Sequence, residues 1–323
     1  MAIVVRSNSR QLQEELSKLR SEGAQIGFIP TMGYLHNGHL SLIREARDRG
    51  AFPIVSIFVN PTQFGPNEDL DSYPRNEERD ITLAEGAGAK LIWIPSVEEI
   101  YPGKEGLKSQ RLASQRLATQ RLATQRLATQ RLAHQQITIV PGSISKRLCG
   151  ASRPVFFSGI CTVVLKLFNI IKPNSSYFGE KDFQQLQIIR RMVRELHLNI
   201  KIIGCPIVRE QDGLAMSSRN VKIPLEERET ALHLFKTIQK AQLLFLDGER
   251  LARKMKKTLM KDWPQNLERD YIEFRDPEFL ELVETLQPNT RLFLGAWLNS
   301  PSQSPGTRGV RLIDNAALSP IES

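Results

Sequence analysis

The stretch IGFIPTMGYLHNGH, residues Ile26–His39, decides the fold. Its first part, Ile26–Pro30, is a short apolar run of the kind that forms a buried strand. A helical pattern follows from about Gly38 to Arg49. Polar and glycine residues fill the connection between them, so this stretch predicts a strand, a loop and a helix in direct succession.

The alternation of strands and helices continues along the chain. Further strands are predicted at 53–59, 90–94 and 199–203, and further helices at about 77–85, 159–171 and 182–196. Such alternation indicates parallel βαβ units, so we predict an α/β fold with a Rossmann-like, doubly wound parallel sheet.

The C-terminal part has a different pattern. Helices are predicted at about 225–245 and 250–260, and strands at 270–274, 290–294 and 308–313. We therefore expect two domains, with residues 1–207 containing the parallel sheet and residues 208–323 forming a smaller α+β domain.

The composition excludes several classes of protein. An apolar fraction of 41% and a charged fraction of 24% over 323 residues exclude a mostly disordered chain. No apolar run is long enough to cross a membrane, and the apolar N-terminal segment is too short for a secretory signal. The cysteines Cys149, Cys161 and Cys205 cannot all pair and lack metal-site spacing. Reduced thiols in the cytoplasm are expected.

The net charge of +9 suggests nucleic acid as a partner, but much of it lies in one repeat. Residues 109–133 are five tandem pentapeptides with one arginine each and no acid, whereas residues 208–323 are neutral. A period of five builds no apolar stripe on a helix and matches no solenoid. We interpret the repeat as a surface insertion, helical or disordered. The alternative is a nucleic-acid-binding tract with salt-dependent affinity, against which the lack of interleaved aromatic residues argues.

Two of the five histidines, His36 and His39, flank the start of the helix that follows the first strand. The N–H groups of a helix N-terminus attract anions, and imidazoles add further donors. Gly38 between them permits a close approach of ligand to backbone. This arrangement suits a triphosphate. The alternatives are two ordinary surface histidines or a metal pair, and the absence of a third His or Cys nearby disfavours the latter.

A second motif, FGEKDFQQL at 178–186, again stands at a predicted strand–helix junction. Lys181 suits a phosphate, and Asp182 suits a ribose hydroxyl or magnesium. Gln185 lies one helical turn further on and faces the same side. The alternative is a charged first helical turn with Asp182 as its cap.

Two more motifs are less specific. MSSRN at 216–220 combines hydroxyls with an arginine, which suits a phosphate clamp on a loop that closes over the nucleotide. The alternative is an ordinary solvated loop. FVNPTQFGPNED at 58–69 offers amides and carboxylates that suit a polyol acid, or that simply end a strand. A P-loop, a G-x-G-x-x-G after a strand and a serine nucleophile elbow are all missing from the sequence. Direct transfer by positioning and charge neutralisation is therefore favoured over covalent catalysis.

At these four motifs the chain closely resembles the pantothenate synthetase (pantoate–β-alanine ligase) family of the nucleotidyltransferase superfamily with the His-x-Gly-His motif. The resemblance covers nearly the whole chain except about 104–136. It implies that the pantoate carboxylate attacks the α-phosphorus of ATP, and that β-alanine then displaces AMP from pantoyl adenylate to give pantothenate. It also implies Mg²⁺ and a homodimer, and gives no role to nucleic acid or a membrane.

The resemblance further implies roles for individual residues. The catalytic set is His36, His39, Lys181, Ser217, Ser218 and Arg219. The ATP-binding set is Met32, His39, Gly179, Lys181, Asp182, Val208, Met216, Ser217, Ser218 and Arg219. The pantoate-binding set is Pro30, Met32, Asn60, Gln63 and Gln185.

The chain also departs from the family pattern. Many members read Arg-Pro-Gly-His-Phe-x-Gly where this chain has RPVFFSG at 153–159, so that loop lacks a glycine and a histidine. Some relatives continue into a nucleotide-kinase domain, whereas no P-loop occurs before Ser323, so we expect a monofunctional chain or a missing continuation. A rival enzyme would adenylate a phosphorylated acceptor. Gln63 and Gln185 argue against it, because a phosphate would require arginine or lysine there.

Overall fold

The computed structural model describes residues 1–65, 68–102, 137–299 and 309–319. The pentapeptide repeat lies outside these residues, so its interpretation as a surface insertion stays a prediction. The chain divides into two compact units. The first comprises residues 1–142, 153–179 and 188–205, and the second comprises residues 143–152, 180–187 and 206–323.

A six-stranded parallel sheet forms the centre of the first unit. Its strands are β1 (Ile3–Arg6), β2 (Ile26–Thr31), β3 (Phe52–Ile57), β4 (Leu91–Ile94), β5 (Ser175–Gly179) and β6 (Lys201–Cys205). Their spatial order is β1-β4-β3-β2-β5-β6. The order of connection reverses between β2 and β5, and ligands of doubly wound sheets bind beyond the carboxyl ends of the strands at such a point. The predicted doubly wound parallel sheet is confirmed.

Helices connect these strands, and further helices belong to the second unit. In chain order they are α1 (Ser9–Ser21), α2 (Asn37–Asp48), α3 (Glu77–Ala87), α4 (Val97–Ile100), α5 (Cys149–Ser152), α6 (Phe156–Ile171), α7 (Phe183–Glu195), α8 (Arg228–Ala231), α9 (His233–Leu246) and α10 (Ala252–Leu259). None of the helices in the described parts of the chain has the length and apolar character needed to cross a membrane.

The core of the first unit explains why its strands are visible in the sequence. Phe28, Ile29, Ile54 and Val55 in β2 and β3 are all fully buried. Central strands of a parallel sheet are covered on both faces and therefore read as continuous apolar runs. Close packing is also required at Gly27, where a Cβ would lie 2.8 Å from the Cβ of Ala51.

The second unit contains an antiparallel sheet of three strands, β7 (Leu267–Arg275), β8 (Arg291–Leu298) and β9 (Val310–Ala317), in that order. Leu234 and Ile238 of α9 and Met255 of α10 belong to the apolar core that this sheet covers. The predicted smaller α+β domain is confirmed.

Two details differ from the predicted elements. The structure adds β1 and α1, which the apolar runs considered above do not mark. The single helix predicted at 225–245 is divided into a 3₁₀ turn at Leu225–Glu227, α8 and α9, with a turn at Leu232. Pro224 directly precedes the 3₁₀ turn, and such turns are frequent at the start of helices.

Candidate active site

The loop after β2 makes a tight turn in which Gly33 and Tyr34 adopt φ values of +80° and +49°. Glycine is suited to the first of these positions, where a Cβ would also lie 3.0 Å from Oδ2 of Asp80. The backbone N–H groups of Tyr34 and Leu35 donate to the two carboxylate oxygens of Asp80 at 2.6 and 2.7 Å. The Asp80 carboxylate therefore holds the turn that leads directly to His36.

Asp80 is a residue that the sequence reasoning missed. Its side chain is buried in α3, with 1% of the residue exposed. Burial raises the pKa of its carboxyl, while the two backbone donors and nearby Arg79 act in the opposite direction. It lies 46 residues from Tyr34 in the chain, and no local pattern in α3 marks it as a partner of the loop.

The two histidines cap helix α2 and are oriented by backbone groups. His36 is the N-cap residue, and its Nδ1 accepts a hydrogen bond from the N–H of Gly38 at 3.1 Å. Nδ1 of His39 accepts from the N–H of His36 at 3.4 Å, and the two ring centroids are 4.0 Å apart. Because both Nδ1 atoms are acceptors, each neutral ring carries its proton on Nε2. The pair thus combines two imidazole donors with the electropositive end of a helix.

A network of buried amides and hydroxyls follows β3, and we call Asn60, Thr62, Gln63 and Tyr101 the amide network. Nδ2 of Asn60 donates to Oε1 of Gln63 at 3.0 Å and to the carbonyl of Gly159 at 3.3 Å. Oδ1 of Asn60 accepts from the Tyr101 hydroxyl at 2.7 Å, the Thr62 hydroxyl at 2.9 Å and the Thr62 N–H at 3.3 Å. Glycine at position 159 allows helix α6 to pack closely against the backbone of Thr62. A Cβ at this position would lie only 2.4 Å from the Thr62 carbonyl oxygen.

The amide network adjoins the loop after β2. Nε2 of Gln63 donates to Sδ of Met32 at 2.9 Å. Pro30 is a half-buried residue of β2, two positions before Met32. The structure therefore brings the uncharged side chains of Met32, Asn60 and Gln63 together. Tyr101 and Gly159 were not predicted for this site, since they lie 41 and 99 residues from Asn60.

The loop that departs from the family pattern is built around Arg153. Its guanidinium lies 3.5 Å from the ring centroid of Phe156 and forms an ion pair with Glu68. It also donates to the carbonyl of Gln63 at 3.3 Å. Phe156 thus supports an arginine that contacts the amide network.

In the second unit, a 3₁₀ turn at Glu180–Asp182 carries Lys181 and Asp182 directly after Gly179, the last residue of β5. Nδ2 of Asn315 in β9 donates to the carbonyls of Glu180 and Lys181 at 3.0 and 2.9 Å. Nζ of Lys181 lies 3.8 Å from Oδ2 of Asp182. Sheet β7–β9 thereby fixes the backbone that presents the lysine.

Two adjacent glutamines of helix α7, Gln184 and Gln185, have different surroundings. Gln184 is buried, and its amide bonds to the backbone of Ile144, Arg147 and Cys149. Gln185, the predicted pantoate ligand, is half-buried on α7, and its side-chain amide forms no hydrogen bond to any residue that the structure describes. Gln184 is therefore a structural residue, whereas the amide of Gln185 is not committed to the backbone.

A hairpin presents the fourth motif. The N–H of Met216 donates to the carbonyl of Val208 at 3.0 Å, and Arg209 pairs with Ala215 across the hairpin. At its tip Gly213 has φ +98°, where a Cβ would lie 2.2 Å from the ring of Phe235. Glycine is therefore required at the tip.

Charged side chains hold this hairpin and the residues after it, which together we call the 208–220 loop. Arg209 donates to both carboxylate oxygens of Asp314, at 2.7 and 3.0 Å, and only 3% of Asp314 is exposed. Arg228 pairs with Glu210 and Asp212, each at 2.7 Å. The hydrogen bond from Arg228 lowers the pKa of the Asp212 carboxyl. These ion pairs were not predicted.

The 208–220 loop carries Ser217, Ser218 and Arg219 as a compact turn. The N–H of Arg219 donates to Oγ of Ser217 at 3.2 Å, and the N–H of Asn220 donates to the Ser217 carbonyl at 3.0 Å. Ser218 is buried, with 6% exposed. Asn220 anchors the turn through a hydrogen bond of its Nδ2 to the Ala215 carbonyl at 3.1 Å.

Neither a metal-binding cluster nor a disulfide is found among the described residues. Residues 1–65, 68–102, 137–299 and 309–319 contain no group of three or more His, Cys, Asp or Glu side chains placed to hold a metal ion. The cysteines Cys149, Cys161 and Cys205 are all buried free thiols.

Comparison with known proteins identifies a single family. The model of the pantoate-beta-alanine ligase family matches residues 4–317. Pantothenate synthetase of Thermotoga petrophila is 45% identical over 311 residues, covering 94% of this chain and 97% of that protein. The enzyme of Geobacter sulfurreducens is 43% identical and covers 93% of both chains.

Solved structures agree with this result. Pantothenate synthetase from Thermus thermophilus matches with a TM-score of 0.77 and 34% identity, over 98% of this chain and all of that one. The pantoate-beta-alanine ligase of Francisella tularensis, solved with beta-gamma ATP and beta-alanine, matches with a TM-score of 0.67 and 32% identity, over 98% of both chains.

Proposed function

Because this chain belongs to the pantoate–beta-alanine ligase family, we propose that it condenses pantoate with β-alanine at the expense of ATP, using the residues described above. One observation carries the proposal. The histidine pair follows β2 and the amide network follows β3, and these strands are parallel neighbours whose carboxyl ends share one edge of the sheet. Imidazole donors at a helix N-terminus suit phosphates, and uncharged amides suit a small hydroxy acid.

In the first step, a carboxylate oxygen of pantoate attacks the α-phosphorus of ATP. The new P–O bond gives pantoyl adenylate, and the bond to the β-phosphate breaks with release of pyrophosphate. His36 and His39 act here by donating from Nε2 to phosphate oxygens that gain charge. Lys181 neutralises the outer phosphates of the leaving group.

The amide network and its neighbours bind pantoate. Gln63 offers Nε2 as a donor, since its Oε1 already accepts from Asn60. Met32 and Pro30 shape the pocket, and Gln185 supplies a second amide. An amide pocket orients the carboxylate for in-line attack without binding it as tightly as an arginine would, so the nucleophile keeps its reactivity.

The remaining predicted residues bind the nucleotide. Gly179 and Asp182 serve the ribose, and Val208 and Met216 contact the adenine from the two strands of the hairpin. Ser217, Ser218 and Arg219 clamp the phosphates. Oγ of Ser217 accepts from the N–H of Arg219, which fixes its position and leaves its own O–H to donate to a phosphate oxygen.

In the second step, the amine of β-alanine attacks the carbonyl carbon of pantoyl adenylate. The C–N bond forms, the C–O bond to the phosphate breaks, and AMP leaves with one oxygen that came from pantoate. The amine loses a proton in forming the amide. Donors that bound the α-phosphate in the first step stabilise the departing AMP.

Magnesium fits this site as part of the metal–nucleotide complex. Mg²⁺ is usually held by one or two carboxylates together with substrate phosphates, and Asp182 is a half-exposed carboxylate beside Lys181. Bound there, the ion would neutralise charge on the triphosphate. The contribution of the chain is to hold Asp182 and Lys181 on a turn anchored by Asn315.

The assembly and location of the protein are proposed from the family resemblance and from its cysteines. Family resemblance supports a homodimer and a C-terminal domain, residues 208–323, that acts as a lid. Three buried free thiols support a reducing compartment such as the cytoplasm. Light scattering of the purified protein tests the dimer, since a mass near twice 36.7 kDa is expected.

An isotope experiment tests the reaction. Pantoate labelled with ¹⁸O in its carboxylate is incubated with ATP, Mg²⁺, β-alanine and the purified protein. AMP is expected to carry one labelled oxygen, in amounts equal to pantothenate, and pyrophosphate to carry none. Formation of ADP and phosphate, or of unlabelled AMP, would contradict the adenylate route. Omitting pantoate is the control and should abolish AMP release.

A further inference from the structure

We propose that Tyr101 is a positioning residue of the pantoate pocket, which fixes the Asn60 amide and through it the donor face of Gln63. The inference rests on the proposed function, because it assigns pantoate to the amide network. Tyr101 directly follows α4 and belongs to none of the four sequence motifs.

The argument starts from the oxygen of the Asn60 amide. Three donors converge on Oδ1, namely the Tyr101 hydroxyl and the hydroxyl and N–H of Thr62. Two acceptors face Nδ2, namely Oε1 of Gln63 and the Gly159 carbonyl. Reversing the amide would set its NH₂ group against the N–H of Thr62, which can only donate, and its oxygen against the carbonyl of Gly159, which can only accept. The Tyr101 hydroxyl, at 2.7 Å, adds the shortest contact to Oδ1 in the orientation that remains. The surroundings therefore permit one orientation of Asn60.

That orientation dictates what Gln63 presents to a ligand. Because Oε1 of Gln63 accepts from Asn60, its Nε2 is the end that remains for other partners. In the structure Nε2 donates to the thioether of Met32 at 2.9 Å, and sulfur is a weak acceptor. A carboxylate or hydroxyl oxygen of pantoate would replace sulfur with a stronger acceptor. The network thus presets Gln63 as a hydrogen-bond donor.

Tyr101 is suited to hold this arrangement because its hydroxyl stays protonated and its ring is packed. Burial raises the pKa of its hydroxyl above the ordinary value, so the group stays a donor in neutral and alkaline solution. Its ring lies 6.3 Å from that of Phe58, and Nζ of Lys166 lies 5.2 Å from the ring centroid. These contacts position the ring even when the hydroxyl is removed, so Tyr101→Phe should remove the hydrogen bond alone.

The test compares Tyr101→Phe with Tyr177→Phe in steady-state kinetics. Tyr177 is also buried, and its hydroxyl bonds to Ser175 rather than to the amide network. In Tyr101→Phe the KM for pantoate should rise roughly fivefold or more, with kcat and the KM for ATP changed less than about twofold. Tyr177→Phe should leave the KM for pantoate unchanged. An unchanged KM for pantoate in Tyr101→Phe, or equal changes for pantoate and ATP, would overturn the proposal.

A double variant separates positioning from general damage. If Tyr101 acts through Gln63, adding Tyr101→Phe to Gln63→Ala should change the KM for pantoate by less than about twofold. If Tyr101→Phe raises the KM for pantoate by the same factor in the parent and in Gln63→Ala, the proposal is overturned. Thr62→Val, which removes another donor to the same oxygen, should reproduce the selective rise if Tyr101→Phe is poorly folded. A parent protein that turns over no pantoate would refute the proposed function itself, whereas turnover with an unaffected variant refutes only the role of Tyr101.

Discussion

The amide network and the 208–220 loop are held in place by different kinds of interaction. Asn60, Thr62, Gln63 and Tyr101 form a buried network of neutral amides and hydroxyls within the first unit. The 208–220 loop is held within the second unit by ion pairs, from Arg209 to Asp314 and from Arg228 to Glu210 and Asp212.

This difference matches the ligand that we propose for each region. A pocket for a small hydroxy acid needs fixed directions for its hydrogen bonds, and neutral groups provide them without attracting a competing anion such as phosphate. The 208–220 loop, which we propose clamps a triphosphate, carries Arg209 and Arg219 together with Glu210 and Asp212, and the ion pair with Asp314 fixes the Arg209 side chain. Changes in the first region should therefore alter recognition of the acid, and changes in the second should alter chemistry, stability and acid tolerance.

The largest expected effect is at Lys181, which lies outside the 208–220 loop but in the same unit, and which we also propose to bind phosphate. Lys181→Ala should reduce the rate of pantoyl adenylate formation roughly 10²–10³-fold, because a preorganised cation that offsets charge in the transition state is lost. The KM for pantoate should change little. Pyrophosphate release in single-turnover experiments measures the effect, with Lys240→Ala as a control, since that lysine pairs with Asp262 on the surface. A similar loss in both variants, or a selective rise in the KM for pantoate, would contradict the assignment of phosphate binding to charged residues of the second unit.

A smaller effect is expected on stability. Asp314→Asn leaves the charge of Arg209 without its buried partner and should lower the free energy of unfolding by about 3–5 kcal/mol. Asp262→Asn removes an exposed partner of Lys240 and should cost no more than about 1 kcal/mol. Urea denaturation measures both. Equal costs would mean that the pair between Arg209 and Asp314 does not hold the loop.

The sequence made some of these features predictable and not others. The strand Ile26–Pro30 and the histidines after it were predictable because apolar runs and helix starts are local signals. Helix α1 was also within reach, since Leu12, Leu16 and Leu19 recur at helical spacing after the cap residue Asn8. Its strand neighbour β1 was not, because four residues at a sheet edge give too short a pattern.

The supporting residues of the site were beyond local reasoning. Asp80 holds a turn 46 residues away, Tyr101 holds an amide 41 residues away, and Asp314 holds an arginine 105 residues away. Each is an ordinary residue of a helix, a helix end or a strand in its own neighbourhood. Only the fold brings it to its partner, so a single sequence identifies residues that touch ligands more readily than residues that position them.

A still smaller effect is expected on the stability of the protein in acid, and it should come from the 208–220 loop. The hydrogen bond from Arg228 lowers the pKa of Asp212, so this pair adds stability that is present above the ordinary carboxyl pKa and is lost as the pH falls through the lowered value. Because about a third of the Asp212 side chain is exposed, the contribution should stay below about 1 kcal/mol. Below about pH 4 the parent should lose more stability than Asp212→Asn does. Identical pH profiles would remove the ion pair from the account of the loop.

The smallest effect is expected from deleting the pentapeptide repeat. Residues 109–133 contribute five positive charges, yet none of the motifs that carry the proposed chemistry lies within them. Tyr101, which precedes the repeat, is held by Asn60 and Thr62. The deleted protein should therefore keep the KM for pantoate and a turnover within a few-fold of the parent. A selective rise in the KM for pantoate would mean that the amide network depends on the insertion, and that local hydrogen bonds alone do not preset the pocket.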